Sequence, residues 1–436
     1  MTKRSAIRSF IIMSIVAVLL AVLCFVSFTI PGSNSKFAGF ANAIQTDIDL
    51  KGGFAGEYEI SFNEKTIKGT ESLNQTTQFI KTKLNEYGYN SATVQTSGVD
   101  SMRIEIPDAL YAKDFLRAVG TEGELVIRTS EISEESPVSD ADIQGKEIKD
   151  IYSTYAQIGP AEFTWGTTIE FTDEGKEKIT NLTASENGTI YIYVGEEIFS
   201  RISFNQKQTS NTLFVYGSSQ DRESANIYAF TMLMGTYGVD FDLKGDEIAS
   251  IAPTYGNGAL LGAGIAIIIL LVAFSLATIL MFGEFGYLIT LSLVFFGVLV
   301  IFFMQAIPIF TLSMSGIIGS VFGLALLFAS YCIIFGNIKK GYAEGKKIPL
   351  AVRAGYKKSI MPVVDINVIA LILAVVAYFA GGFVLQSFAL ALGICSALNL
   401  FVSLLLTRWL TKWYLRINST KADKLHMKRE ASVDEL

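Results

Sequence analysis

Apolar and polar positions alternate along this chain in long blocks. Residues 1–9 carry Lys3, Arg4 and Arg8, and residues 10–30 are then uncharged and apolar up to Pro31-Gly32. A helix needs about 20 such residues to cross a bilayer, so a first span is expected at 10–30. The rival is a cleaved leader, because Ala41-Asn42-Ala43 resembles a cleavage site. The apolar run is too long for that, and the Ala-x-Ala lies too far beyond it. Past residue 257 the chain turns apolar again, in five runs at about 258–282, 286–307, 310–335, 361–381 and 384–407. With the first, these predict six transmembrane helices.

Residues 31–257 are patterned like a folded α+β domain. EYEISF (57–62), SMRIEIP (101–107), GELVIRT (123–129), TIYIYV (189–194) and EIFSRISF (197–204) alternate or run apolar as strands do. TDIDLKGG (46–53) is expected as a short strand ending in a glycine pair. Glu71–Tyr87, Tyr111–Val119 and Ser224–Thr236 have helical spacing, and Thr172 is placed to cap a helix that opens with Asp173 and Glu174. Residues 131–160 are polar and weakly patterned, and are expected to form an inserted, mobile subdomain. The predicted fold is a membrane protein of six transmembrane α-helices, with a large extracytoplasmic α+β domain inserted between helices 1 and 2.

Charge adds an orientation. The stretch 336–360, expected as a loop, holds Lys339, Lys340, Lys346, Lys347, Arg353, Lys357 and Lys358 against Glu344. Arg408, Lys412 and Arg416 follow the last span, at the start of a polar tail, 408–436. Basic loops stay on the cytoplasmic side, so both termini and 336–360 are expected there, with 31–257 outside. Most acidic residues lie between 45 and 250 and the soluble part has no basic face, which argues against nucleic acid. Of the 436 residues, three are cysteines (Cys24, Cys332, Cys395), all in apolar runs, and one is a histidine, His426, in the tail. Neither a metal site nor a histidine-based triad is expected, and no cofactor is implied. No Gly-x-Ser-x-Gly pattern marks an enzyme.

The chemistry worth following is inside the apolar runs. Asp365 is the one acid there, and an ionisable group in a span marks a functional site by default. It lies seven residues past Lys358, about 10 Å along a helix. Two roles stay open: a structural one, capping a helix start after Pro362 or pairing with Lys358, and a proton relay. Asn367 is two residues on, about 200° round the helix, and does not share that face. Gly316, Gly319 and Gly323 do share a face, and admit a neighbouring helix closely. Gly52-Gly53 permit a tight turn, with Asp49 able to bind nearby backbone amides.

Several of these pieces also resemble one family. DIDLKGG (47–53), FTDEGKEKI (171–179), SANIYAFTMLMGTYGVDFDL (224–243), TLSMSGIIGSVFGLAL (311–326) and VVDINVIALILAVVAYFAGG (363–382) are similar, in order, to segments of SecD, the accessory subunit of the bacterial Sec export machinery. The resemblance covers nearly the whole chain. It implies a multi-pass protein of the bacterial cytoplasmic membrane that assists export of unfolded polypeptide after the SecA and SecYEG step. The implied partners are SecYEG, SecA, a separate SecF-like subunit, the secretory polypeptide and membrane lipid. Residues 131–160 and the strands of 189–217 are the expected polypeptide-binding surfaces. One departure matters. Where the family carries a proton-coupling Asp in its fourth span, this chain has Ala329, and Gly336-Asn337 replace a Glu-Arg pair. Proton coupling would then come from the SecF-like partner, or the protein would be an uncoupled scaffold of the translocase. Half of a resistance-nodulation-division efflux pump is the other alternative; its central spans would need titrating acids.

Overall fold

The computed structural model describes residues 3–29, 36–37, 39–62, 70–98, 100–109, 111–121, 123–131, 142–160, 162–184, 188–195, 197–217, 221–237, 239–244, 248–417 and 422–427. In chain order the elements are α1 (Lys3–Phe25), β1 (Phe28–Thr29), β2 (Lys36–Phe37), α2 (Ile48–Lys51), β3 (Gly53–Phe62), α3 (Thr70–Glu86), β4 (Thr93–Thr96), β5 (Ser101–Pro107), α4 (Ala112–Val119), β6 (Leu125–Arg128), β7 (Ile143–Gln144), β8 (Ile148–Gly159), β9 (Glu162–Phe171), α5 (Asp173–Leu182), β10 (Gly188–Val194), β11 (Glu197–Phe204), β12 (Thr212–Val215), α6 (Arg222–Thr236), β13 (Val239–Leu243) and β14 (Ala249–Ile251). The helices α7 (Ala259–Phe282), α8 (Glu284–Ala306), α9 (Met314–Ala343), α10 (Ile348–Ala380), α11 (Gly382–Phe401) and α12 (Thr407–Ile417) follow. The chain divides into two compact units, Gly52–Pro253 and the remainder.

The described residues of the unit Gly52–Pro253 form an α+β assembly with three antiparallel sheets. Their strand orders are β13-β3-β5-β4 with β14 also on β3, β11-β10-β6-β7, and β12-β9-β8. Alternation does what the pattern predicts: along β5, Met102, Ile104 and Ile106 are buried while Ser101, Arg103 and Glu105 are half-buried. They form one core with Tyr58, Leu73, Ile80, Phe115 and Phe241. A second core holds Leu125, Ile127, Ile169, Ile179, Ile190 and Ile192. Helix α6 serves both, with Phe230 and Met234 in the first and Ala229, Met232 and Leu233 in the second. Thr172 caps α5, its hydroxyl accepting from the Gly175 amide. Inside that second half, Glu147 is 1% exposed, accepts from Lys178 Nζ at 2.9 Å and from the Gln144 amide at 2.6 Å.

Residues 131–160 are not weakly structured where described. Strand β8 is twelve residues long and pairs along its length with β9. Its aromatic and polar residues hid the strand, because its burial alternates irregularly. Residues 132–141 of that segment lie outside the described residues.

In the other unit, six helices among the described residues are long and apolar enough to cross a membrane. The stretch 336–360 is not a loop. Helix α9 runs to Ala343 and α10 starts at Ile348, so four residues join them. Lys and Arg are good helix formers, and their stems let a span continue past the apolar run. Pro362 therefore lies inside α10 and does not start a helix. It leaves only the Lys358 carbonyl without its helical donor. Nor is 408–436 a plain tail. The last span continues through five π-helical residues, 402–406, into α12. Residues 422–427 then pack under the α7–α8 turn. There Leu425 is buried, Lys424 pairs with Glu284 at 3.3 Å, and the His426 ring approaches the Leu280 carbonyl at 3.0 Å. Lys421, Lys428 and Arg429 lie outside the described residues.

Candidate functional site

Three places concentrate polar or aromatic chemistry. The first is at the start of α9. DIDLKGG is not a strand there: Ile48–Lys51 is one helical turn, and Gly52, at φ +79°, turns the chain into β3. A Cβ on Gly52 would meet the Ile251 carbonyl at 2.4 Å, and one on Gly53 the Ile106 carbonyl at 2.2 Å. Asp49 meets the Leu50 amide of its own turn and also reaches beyond it. Its Oδ2 accepts from the Met314 amide at 2.8 Å, satisfying one of the free donors at the N-terminus of α9. Ser313 caps the same end, accepting from the Gly316 amide at 3.3 Å. The carboxylate suits the positive end of the helix dipole. Asp49 Oδ1 is buried with no hydrogen-bond partner among the described residues. Burial raises the Asp49 pKa, against the Met314 and Leu50 amides that lower it. Burial also raises Asp47, to about 6, offset by the Ile48 amide and aided by the Asp49 charge.

The second is a buried polar stripe through the helix bundle. Ser396, Asn399, Ser403, Thr407 and Thr411 recur every three or four residues and are all fully buried. Asn399 Nδ2 donates to Asn367 Oδ1 on α10 (2.9 Å) and to Ser330 Oγ on α9 (3.3 Å). Asn367 Nδ2 reaches Ser330 Oγ at 3.5 Å and its own Val363 carbonyl at 2.8 Å. Further along, Tyr331 OH links Ser292 Oγ (2.7 Å) and Thr407 Oγ1 (3.1 Å), and Tyr356 OH meets Thr411 Oγ1 at 3.3 Å. Thr407 Oγ1 bonds the Val402 carbonyl, five residues back, at 2.8 Å, which fits the local π-helix. Helices α8, α9 and α10 and the continuous span α11–α12 are thus tied by neutral hydrogen bonds, each worth about 0.6 kcal/mol in a membrane.

The glycine face of α9 makes this closeness possible. A Cβ at Gly316 would stand 2.3 Å from Ser387 Oγ, at Gly319 2.5 Å from the Phe388 carbonyl, and at Gly323 2.2 Å from Cys395 Cβ, all on α11. Ala329 is half-buried beside Ser330. Asp365 is not in the stripe. It is exposed on α10, seventeen residues after the start of that helix, so it caps nothing. No hydrogen bond or ion pair joins it to any described residue, Lys358 included. Asn367, on the opposite side, is the buried one. Ser330, Asn399 and Thr407 carry no charge to mark them in the sequence, although the helical spacing of small polar residues from 396 to 411 is a visible signal.

The third is an aromatic groove in the α+β unit. It holds about 230 Å³ between β9, β11 and β12, floored by α6, and is lined by Trp165, Gly166, Phe199, Ser200, Tyr228 and Met232 among others. Arg222 lies over the Trp165 ring at 5.7 Å, and Phe199 meets Tyr228 edge-on at 5.1 Å. Beyond its rim, Tyr155 stacks on Phe163 at 5.7 Å, and both are more than half exposed. Strands β8, β11 and β12 end their sheets. Exposed aromatic side chains beside free strand edges can take an extended peptide by backbone pairing and side-chain burial.

No protein-family model matches the chain. It is 22% identical over 408 residues to the protein translocase subunit SecD of Acidaminococcus fermentans, covering 93% of this chain and 92% of that one. It is 23% identical over 388 residues to SecD of Sebaldella termitidis (88% and 93%), and 27% identical over 408 residues to SecDF of Thermus thermophilus (84% and 53%). Among solved structures, SecDF in its super-membrane-facing form superposes with a TM-score of 0.58 at 20% identity, over 95% of this chain. SecDF from Thermus thermophilus does so with 0.53 at 20% identity, over 97%. The chain spans 58% and 60% of those two solved chains. The fold is that of a membrane protein with an α+β soluble part.

Proposed function

The chain belongs to the SecD family of protein-export membrane proteins, and on that premise we propose that it is an accessory subunit of the Sec protein translocase, assisting export of unfolded polypeptides across the cell membrane. In this reading the α+β unit lies outside the membrane, both termini lie in the cytoplasm, and a separate SecF-like chain, SecYEG and SecA are its partners. The observation that carries the reading at the level of a site is the aromatic groove between strand edges. It offers apolar area and backbone pairing without demanding a sequence, which is what a subunit handling many secretory chains needs.

Site-specific photocrosslinking from Tyr155, Ser200 and Tyr228 to a secretory protein stalled in transit tests this. Adducts at those positions, and none from Glu177 on α5, are expected. Equal labelling from all four, or from none, would defeat the assignment of the groove.

A second reading concerns proton coupling. The described bundle core is joined by Ser, Thr, Tyr and Asn side chains, and Ala329 cannot take a proton. This favours a chain whose own spans are uncoupled, with any titrating groups on the SecF-like partner. Export measured with and without a proton gradient, in wild type and Ala329→Asp, separates the cases. Wild-type export insensitive to the gradient, turned sensitive by Ala329→Asp, would speak against a partner-driven system.

A further inference from the structure

We infer that the face of α10 centred on Asp365 is the docking surface for a transmembrane helix of a different chain, one that brings an arginine or lysine to the depth of that carboxylate. The inference rests on the reading that this protein works beside a second membrane subunit, and it says where and by what chemistry they meet.

Met361, Asp365, Ile369, Ile372, Val376 and Phe379 are all exposed. At 100° per residue they fall within about 40° of a single line along α10. Without Asp365 this stripe would read as lipid-facing. With it, lipid is a poor occupant: a carboxylate in the apolar part of a span is costly, and such groups face the bundle interior or a water-filled cavity, or pair with another group. Asp365 does neither within this chain. It makes no hydrogen bond or ion pair with any described residue, while the stripe through Asn367 on the opposite side is buried and bonded.

The spans of this chain do not supply the missing cation, and no described basic residue pairs with Asp365. Residues 9–29, 259–283, 285–338 and 359–407 contain no lysine, arginine or histidine, and Asp365 is their one charged residue. Lys357 and Lys358 sit about 10 Å back along the helix, too far for a short carboxylate to reach. A second copy fails for the same reason, since its spans would bring only another Asp365. Charge complementarity therefore selects a chain of different sequence, with a basic residue inside a span. A planar guanidinium would pair bidentately.

The test uses the full-length protein co-expressed with the SecF-like chain of the same cell. A benzophenone amino acid replaces Ile369 on this face, or Leu261 on α7, which is 72% exposed, as a control face. An adduct with the SecF-like chain from Ile369 and not Leu261 is expected. Asp365→Lys should lower that adduct about tenfold or more, because like charges across an interface repel, and Asp365→Asn should lower it less. Both variants, purified alone, should melt as the wild type does, since the carboxylate touches nothing in its own chain. Adducts from Leu261 only, an adduct between two copies of this chain, no adduct although the two subunits copurify, an indifferent Asp365→Lys, or a lowered melting point of the lone variant would each overturn the inference. Failure of the SecF-like chain to copurify with wild type is a separate outcome. It is read before any crosslink, and it removes the partner reading together with this one.

Discussion

Replacing Gly323 by alanine should weaken the bundle through a single contact, and that contact can be relieved from the other side. The new Cβ would stand 2.2 Å from Cys395 Cβ and 2.9 Å from its Sγ. Carbon atoms rest at about 3.5–4.0 Å, so α9 and α11 must part by about 1.3 Å, or Cys395 must move in a core where it is 1% exposed. Overpacking of this kind costs about 1–3 kcal/mol. Alanine in a helix returns about 0.5–1 kcal/mol relative to glycine, leaving a net loss of up to about 2.5 kcal/mol. At about 2–4 °C per kcal/mol for a unit of this size, the melting point of the detergent-purified protein should fall by a few degrees. Ser330 lies two turns further along the same face of α9, so the parting should also loosen its bonds to Asn367 and Asn399 and slow export in cells. Cys395→Gly removes both clashing atoms and leaves Cα at 3.6 Å. In a double-mutant cycle, Gly323→Ala should then cost nothing in the Cys395→Gly background. If Gly323→Ala stabilises the wild type, or costs the same with Cys395→Gly as without it, the close approach of α9 and α11 is not what holds these spans.

Glu147→Gln should lower the melting point of the α+β unit at pH 7.5, since it removes the charge paired with Lys178; burial alone would raise this carboxyl, but the Lys178 and Gln144 bonds outweigh it and hold it below the usual range. A lowered folded pKa contributes stability above the unfolded value near 4.5, so the gap between wild type and variant should close as pH falls below that value; a gap constant from pH 7.5 to 3 would refute it. Asp47 is raised to about 6, so its ionisation opposes folding, and its favourable share is present below the unfolded value near 3.8 and lost as pH rises through 6. Asp47→Asn should therefore stabilise the protein at pH 8 and make little difference at pH 4, as read by thermal melts. Trp165→Ala, which opens the groove and frees Arg222, should reduce crosslinking of a stalled secretory chain from Ser200 several-fold, as losing an aromatic anchor does; unchanged yield would remove Trp165 from the contact surface.

What could be read from the sequence divides along physical lines. Where burial repeats with the period of the element, the reading succeeds: Met102, Ile104 and Ile106 alternate into a core, and Thr172 caps the helix it precedes. The six apolar runs are helices for the same reason, since a lipid-embedded segment satisfies its backbone within itself. The failures come from long-range partners. Asp49 looked like a local turn residue, yet its carboxylate serves an amide 265 positions away. Residues 336–360 looked like a loop because charge was read as solvent exposure, although lysine and arginine extend helices past the apolar layer. Asp365 drew attention as the one charge, while Asn367, Asn399 and Ser330 make the connections between spans. Neutral polar residues are quiet in a hydropathy profile, and only the fold shows that three helices bring them within hydrogen-bonding distance.

The continuity of α10 through Pro362 makes the helix a carrier of phase. Ala351, Val352, Gly355, Tyr356 and Ser359 are buried before the proline, and Val363, Asn367, Ala370 and Ala374 after it. Were 336–360 a loop, its length would be free to drift. In a helix, each residue lost or gained turns everything beyond it by about 100°. A one-residue deletion near Lys357 would thus set the two buried faces against each other, and the bundle would have to choose which half to keep. Gain or loss of seven residues would nearly restore the angle. Length variation within the basic part of α10 is therefore quantised, and steps of about seven or eleven residues keep its buried faces aligned.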